Sequence, residues 1–277
     1  MNPEDPEILD QKFSSLITRL KDAPSALLAF SGGVDSSFLL RALKISGIPF
    51  IAITGKSETV PEKAIQQAVS FALQEDVQHR VIETGELQNE SFLNNPPDRC
   101  FFCKQDLFMR MQKIAEKECF DAVFDGSNAD DLKDFRPGRR AAQMYGVQSP
   151  LAEAGLSKGE IRQLSKTLGL DTWNKPSSPC LSSRFPYGQR ITLPRLRRVE
   201  QAEEYLRSIG IGTVRVRLHN DVARIEVAEH EMVLLLKNRQ DVSDRLKSLG
   251  FIFVSLDLEG FRSGSLNRVL PQDTVKS

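Results

Sequence analysis

The apolar run Ala26–Phe30 ends abruptly in "SGGVDSS", Ser31 to Ser37, and apolar residues resume at once with Phe38, Leu39 and Leu40. A strand that breaks at a glycine pair and reopens as a helix is half of a β-α-β unit, and few folds accept such an opening. Further apolar runs at Pro49–Thr54, Val77–Ile82 and Asp121–Asp125 predict buried parallel strands. Between them, Ser37–Lys44, Glu62–Gln74 and Lys104–Glu118 suit helices. Ser157-Lys158-Gly159-Glu160 reads as a capping box opening another helix, with Ile161, Leu164 and Leu168 facing inward and a stop at Gly169. This order predicts an α/β fold, an open parallel sheet with helices on both faces. Ligands of such sheets sit at the carboxyl ends of the strands, where SGGVDSS falls.

The pattern changes between Lys175 and Arg195. "KPSSPCLSSRFPYGQRITLPR" is rich in Pro, Ser and Gly and reads as a linker or an active-site loop. Beyond it come a helix near Leu196–Ser208, strands at Thr213–Leu218 and Ala223–Val227, a helix near Glu229–Leu249 and a strand at Phe251–Leu258. They predict a smaller C-terminal α+β domain, with residues 1–184 and 185–277 as the two divisions. A chain of 277 residues suits two domains of ordinary size. Lys+Arg and Asp+Glu both number 37, which argues against a broad nucleic-acid surface and leaves room for a local basic pocket. No apolar stretch reaches membrane-spanning length. The acidic, proline-broken start Met1–Glu7 is unlike a secretory signal, so a cytoplasmic location is expected. There the four cysteines are expected as metal ligands or catalytic thiols rather than disulfides.

Glycines 32 and 33 let backbone N–H groups approach an anion, and the helix after them adds its positive end. The hydroxyls of Ser31, Ser36 and Ser37 can donate to phosphate oxygens. An acid in that position, Asp35, makes sense as a ligand of magnesium or its water. The stretch lacks the lysine of a Walker A loop and the third glycine of a dinucleotide fingerprint. A plain Gly-Gly turn with a serine cap is the bland alternative; the dense hydroxyls favour the anion.

"NNPPDRCFFCK" carries Cys100 and Cys103, and "KPSSPCLSSR" carries Cys180. The C-x-x-C spacing puts two thiols on one side of a turn or helix start. With a third thiolate they could hold zinc, which wants a fourth ligand where only His79, His219 and His230 exist, or a [4Fe–4S] cluster with one open iron. A redox pair or unreactive thiols are the simpler readings of C-x-x-C alone. Cys119, before a strand, is expected in the core.

SGGVDSS resembles the signature of PP-loop ATP pyrophosphatases, which split ATP into AMP and pyrophosphate to adenylate a substrate. "DGSNADD", Asp125 to Asp131, resembles that family's pattern after its fourth core strand. The resemblance implies that Gly126 and Asn128 lie beside the nucleotide, with Asp130 and Asp131 near the metal or structurally paired. "SSRFPYG", "TVRVRLHND", "ARIEV" and "LDLEGFRSGSLN" in the second domain resemble the LarE family, sulfurtransferases of nickel-pincer nucleotide biosynthesis for lactate racemase. Some members sacrifice a single cysteine's sulfur; others carry three cysteines and a cluster. Cys100, Cys103 and Cys180 resemble the second kind, with Cys180 also expected to be catalytic.

In "TVRVRLHN" the side chains alternate, with Arg215, Arg217 and His219 on one face. Paired guanidinium forks suit a phosphate monoester, whereas a solvated edge strand would explain them equally. The resemblance favours phosphate, and Arg184 in SSRFPYG is a third candidate for the same substrate pocket or for ATP. Glu203 and Glu204 either solvate a helix or, as the resemblance implies, one of them, Glu203, contributes to a second metal site at subunit contacts.

The implied substrate is pyridinium-3,5-biscarboxylic acid mononucleotide. ATP would sit on Ser31–Ser37 with Mg2+ near Asp35, a substrate carboxylate would attack the α-phosphate, and cluster-bound sulfide would displace AMP to leave a thiocarboxylate, twice over. Lys104 is either an electrostatic helper of that chemistry or a solvent-facing lysine. The resemblance further implies a sulfide donor and a homo-oligomer, a hexamer among the forms. Competing readings are a PP-loop tRNA thiolase, a sacrificial-cysteine transferase, an amide-forming synthetase and a nucleotide sensor without turnover. Bulk tRNA binding, ammonia-dependent amidation or ATP bound without cleavage would favour the first, third or fourth.

Overall fold

The computed structural model of the chain describes residues 6–132, 136–176, 179–262 and 264–270. Ser177 and Ser178 of the expected linker and the opening residues 1–5 lie outside them. Strands β1 (Ala26–Ala29), β2 (Phe50–Lys56), β3 (His79–Glu83) and β4 (Ala122–Phe124) form a parallel sheet in the order β3-β2-β1-β4. A parallel bridge from Phe124 to Gln148 extends the pattern past β4. Because β2 and β4 flank β1 on opposite sides, the chain connections diverge at the carboxyl end of β1 and leave a crevice there.

Alternate residues of β1 enter two different cores. Ala26, Leu28 and Phe30 pack with Leu16 and Leu20 of the helix Pro6–Leu20, Phe38 and Leu39 of the helix Val34–Ser46, and Ile161 and Leu164 of the helix Lys158–Thr167. Leu27 and Ala29 pack with Ile51 and Ile53 of β2 and with Phe108, Met111 and Ala115 of the helix Arg99–Glu118. Both faces of the sheet are therefore covered, as strands apolar on both sides require. Each large side chain buried this way stabilises the fold by about 1.5–3 kcal/mol. Ser157 and Glu160 form the expected capping box at the start of Lys158–Thr167.

The chain divides into two compact units. One comprises residues up to Glu86 and from Cys100 to the stretch before Pro179; the other comprises Leu87–Arg99 and the chain from Pro179 onward. Cys180 and Arg184, placed before the expected boundary at 184, thus belong to the second unit. That unit holds strands β5 (Val214–His219), β6 (Val222–Val227) and β7 (Phe253–Leu256), with β5 and β6 antiparallel and β6 and β7 parallel. Asn220, at φ 54°, lies in the tight link between β5 and β6. The helix Leu193–Ser208 packs on β5 with Val199, Ala202 and Leu206 buried.

Several local expectations are corrected. Val77–Ile82 is expected as a buried strand; β3 begins at His79 and is largely exposed, because it is the sheet edge. The single helix expected over 229–249 is two, Met232–Lys237 and Arg239–Ser248, parted at Asn238. The Asn238 amide donates to the Leu234 carbonyl, the backbone competition that makes asparagine a helix breaker. Cys119 is exposed rather than in the core, since it takes a left-handed φ of 58° directly after the helix Arg99–Glu118. In the stretch read as a linker or an active-site loop, Leu181, Ser182, Arg184 and Phe185 are all buried.

Candidate functional site

Strand β1 delivers Ser31–Ser37 to the crevice. Gly32 has φ +66°, and a side chain there would meet the Ala68 backbone at 3.1 Å, so both conformation and space call for glycine. Gly33 caps the helix Val34–Ser46 in extended conformation without a side-chain cap, leaving the first-turn N–H groups to be satisfied from outside. The Ser36 hydroxyl binds back into the turn, donating to the Gly33 carbonyl at 3.2 Å and lying 3.1 Å from Ser31 Oγ. Two buried oxygens at the turn lack a partner among the described residues: Asp35 Oδ1 and Ser37 Oγ. A buried acceptor and hydroxyl left open are costly unless a ligand completes them. They fit a hydrated divalent cation at Asp35 and a phosphate oxygen at Ser37.

The loop after β4 closes the other side. A side chain at Gly126 would stand 3.1 Å from Ser36 N, so this loop lies directly against the turn. Buried Asn128 turns its amide oxygen to the N–H groups of Asp130 and Asp131, at 3.0 and 3.3 Å, and so shapes the loop. Asp130 accepts from Lys158 N at 2.8 Å, and Asp131 pairs with Arg136 at 2.7 Å. Both acids therefore make structural pairs, and Asp35 carries the open oxygen. Lys104 reaches this loop, its ammonium 3.8 Å from Asp125 and 4.9 Å from the Phe108 ring centre.

Two lysines that the sequence does not single out as ligands also meet the turn. Lys158 Nζ lies 2.5 Å from Asp35 Oδ2, and Lys175 Nζ donates to the Gly32 carbonyl at 2.8 Å. Burial pushes the Lys175 pKa below the usual lysine value. Gly32 and Lys175 border a cavity of about 630 Å³. Neither lysine has a local signal, because the fold alone brings them to the turn from more than a hundred residues along the chain.

Cys100 and Cys103 lie at the start of the helix Arg99–Glu118, three residues apart on one side. Cys100 is exposed, and Cys103 Sγ lies 3.7 Å from the carboxylate of Glu86. Glu86 is itself buried and accepts from Ser57 and Thr59 hydroxyls at 2.6 and 2.9 Å. Cys180 precedes the short turn Leu181–Arg184 in the second unit. Among the described residues no three His, Cys, Asp or Glu side chains form a group that could hold a metal ion.

In the second unit Arg184 is 1% exposed and clamps Glu203 with Nε and Nη2 at 2.8 and 2.9 Å. Its Nη1 donates to the carbonyls of Pro179 and Cys180 and to Ser183 Oγ, fixing the backbone that carries Cys180. Glu203 also accepts from Arg207 and Val216 N. Burial alone would raise the Glu203 pKa; the Arg184 hydrogen bonds and the surrounding guanidiniums outweigh it and hold the carboxyl below its usual range. Glu203 is therefore not a solvated helix residue.

Arg215 and Arg217 are buried as well, which removes the solvated-edge alternative for β5. Arg217 binds Glu226 through Nε and Nη2, and its Nη1 donates to the Ser183 carbonyl at 2.7 Å. Arg215 stacks over Phe261, and its pKa is lowered to about 10 by burial and then by the nearby Arg184 charge. A guanidinium so crowded by desolvation and like charge gains from an anion.

No family model matches the sequence. The chain is 40% identical over 266 residues to the pyridinium-3,5-bisthiocarboxylic acid mononucleotide synthase of Lactiplantibacillus plantarum, covering 95% of this chain and 96% of that protein. It is 42% identical over 269 residues to an uncharacterized protein of Synechocystis, covering 95% and 99%. Among solved structures, NMN synthetase from Francisella tularensis matches with a TM-score of 0.51 at 19% identity, over 61% of this chain and 75% of that one. That likeness supports the α/β fold.

Proposed function

This chain belongs to the pyridinium-3,5-bisthiocarboxylic acid mononucleotide synthase family, and we propose that it is an ATP-dependent sulfur transferase acting on the carboxylates of a pyridinium mononucleotide. The observation that carries the adenylation half is the open pair at the crevice, Asp35 Oδ1 and Ser37 Oγ, on a glycine turn at a helix start. The turn's amides and the hydroxyls of Ser31, Ser36 and Ser37 hold the polyphosphate, with Gly126 and Asn128 bounding the nucleotide from the loop after β4. Mg2+ held by Asp35 would neutralise charge on the phosphates. A substrate carboxylate attacks the α-phosphorus, the bond to the β-phosphate breaks, and acyl-adenylate and pyrophosphate result. Preorganised N–H groups stabilise the charge developing on the leaving group. Lys104, beside Asp125, adds positive charge on the strand-end side.

A sulfur nucleophile then forms the C–S bond as the C–O bond to AMP breaks, and repetition on the second carboxylate gives the dithio product used in nickel-pincer biosynthesis. Arg215 is the proposed receiver of the substrate phosphate, and Arg217 and Arg184, held by Glu226 and Glu203, add positive charge beside it. The sulfur centre is assigned to Cys100, Cys103 and Cys180, the expected ligands of a [4Fe–4S] cluster. Two belong to one unit and the third to the other, and no group of three metal donors is formed among the described residues. No step is routed through a cluster here. Anaerobic reconstitution with iron and sulfide, with absorption spectra of wild type and each Cys→Ala variant, decides that assignment. A homo-oligomer and a separate sulfide donor complete the reading.

The test of the adenylation half is pyrophosphate release from ATP with and without pyridinium-3,5-biscarboxylic acid mononucleotide. Release should depend on that acid and vanish in Asp35→Ala with the fold retained, since the Asp35–Lys158 pair is partly exposed and contributes at most about 1 kcal/mol. Full release by Asp35→Ala removes Asp35 from the site.

A further inference from the structure

Resting on the reading that ATP occupies the Ser31–Ser37 turn, we propose that Lys158 and Lys175 are the cationic ligands of its β- and γ-phosphates, brought to the turn from elsewhere in the chain. A P-loop carries its own lysine for this purpose. This turn carries none, and Asp35 adds a negative charge where the polyphosphate must lie. Amide dipoles alone would face both. The fold supplies two ammonium groups instead, one on each side of the turn's sequence: Lys175 on Gly32 and Lys158 on Asp35.

Each is held in a way that suits a ligand rather than a brace. Lys158 is the first residue of its helix, and its backbone N–H is fixed by Asp130 at 2.8 Å, so the root is rigid while the side chain can turn to follow a phosphate. Its partner oxygen, Asp35 Oδ2, lies beside the open Oδ1, so an arriving divalent cation would take over the charge balance Lys158 now provides. Lys175 meets the turn at a neutral carbonyl, which is a weak partner for an ammonium. It stands at a cavity bordered also by Gly32, Lys63, Ser70 and Thr172, with Asp171 as its acid. Thr172 Oγ1 is buried there without a partner among the described residues. A lysine is a mobile point charge, suited to a group that changes from the end of a triphosphate to free pyrophosphate.

Calorimetric titration of the full chain with Mg–ATP, Mg–pyrophosphate and AMP tests this on Lys158→Met, Lys175→Met and the corresponding Arg variants. Each Met variant should lose roughly tenfold or more in affinity for ATP and pyrophosphate, as expected for one charged hydrogen bond. AMP affinity, which involves neither terminal phosphate, should stay at the wild-type value and reports an intact turn. The Arg variants should recover part of the loss. Wild-type ATP affinity in both Met variants overturns the assignment, and so does a parallel loss for AMP, which would make the lysines braces of the turn. Failure of wild type itself to bind ATP overturns the ATP reading first and the lysines with it.

Discussion

At Gly126 the site depends on a hydrogen atom where other residues carry a methyl group. A Cβ there would press on Ser36 N and Ser36 Cα at 3.1 and 3.3 Å, both backbone atoms of the turn. Gly126→Ala should therefore shift the turn by tenths of an ångström and lower acid-dependent pyrophosphate release by on the order of tenfold, because reacting groups tolerate little displacement. Gly47→Ala is the control: Gly47 has φ +77° and no neighbour within 4 Å, so it should lose about 1 kcal/mol of stability and no activity. Melting curves beside pyrophosphate release separate the two, and equal activity losses would refute the close-approach argument. The glycine pair and hydroxyls of the turn are legible in sequence because they are local. Lys158 and Lys175 are not, because their role exists only once the helix Lys158–Thr167 and the turn beyond it pack against the helix Val34–Ser46.

Elements of the second unit are held by buried ion pairs, and these have measurable signatures. Glu203→Gln leaves Arg184 buried without a counter-charge and should cost about 3–5 kcal/mol. Because its folded pKa is depressed, the Glu203 contribution is full above the unfolded value of about 4.3 and is lost as pH falls through the folded one. Wild type should thus lose stability on acidification below roughly pH 4.5 more steeply than Glu203→Gln, as read from denaturant midpoints. Parallel acid slopes would contradict it.

The two strand arginines should differ. Arg217→Ala strips both guanidinium bonds from Oε2 of fully buried Glu226, leaving Arg224 and Ser265 on Oε1 only, and should destabilise, whereas Arg215, already disfavoured in its charged form, should be replaceable at little cost in stability. Arg215→Ala should instead raise the KM for the mononucleotide; an unchanged KM would remove it from the substrate site. The alternation of β5 is plain in the sequence. Burial of its arginine face is not, since that depends on what covers the strand: Ser183 and Ser265 over Arg217, and Phe261 over Arg215.

For the whole molecule, the β-α order is enough to give the sheet, its both-sided cover and the crevice at β1, because each arises from short-range periodicity and right-handed crossovers. The division of the chain is less legible. Leu87–Arg99 belongs with the later unit, and no composition change marks a segment that departs and returns. This division assigns the C-x-x-C pair and Cys180 to different units, which spacing could not reveal. Among the described residues no helix is long and apolar enough to cross a membrane.

The most direct measurement is mass spectrometry of pyridinium-3,5-biscarboxylic acid mononucleotide incubated anaerobically with the protein, Mg–ATP and sulfide. Expected is stepwise replacement of carboxylate oxygen by sulfur, first once and then twice, with AMP and pyrophosphate formed for each replacement. Cleavage of ATP with no sulfur incorporated, or sulfur incorporated without ATP, would contradict ATP-dependent sulfur transfer as the function of this chain.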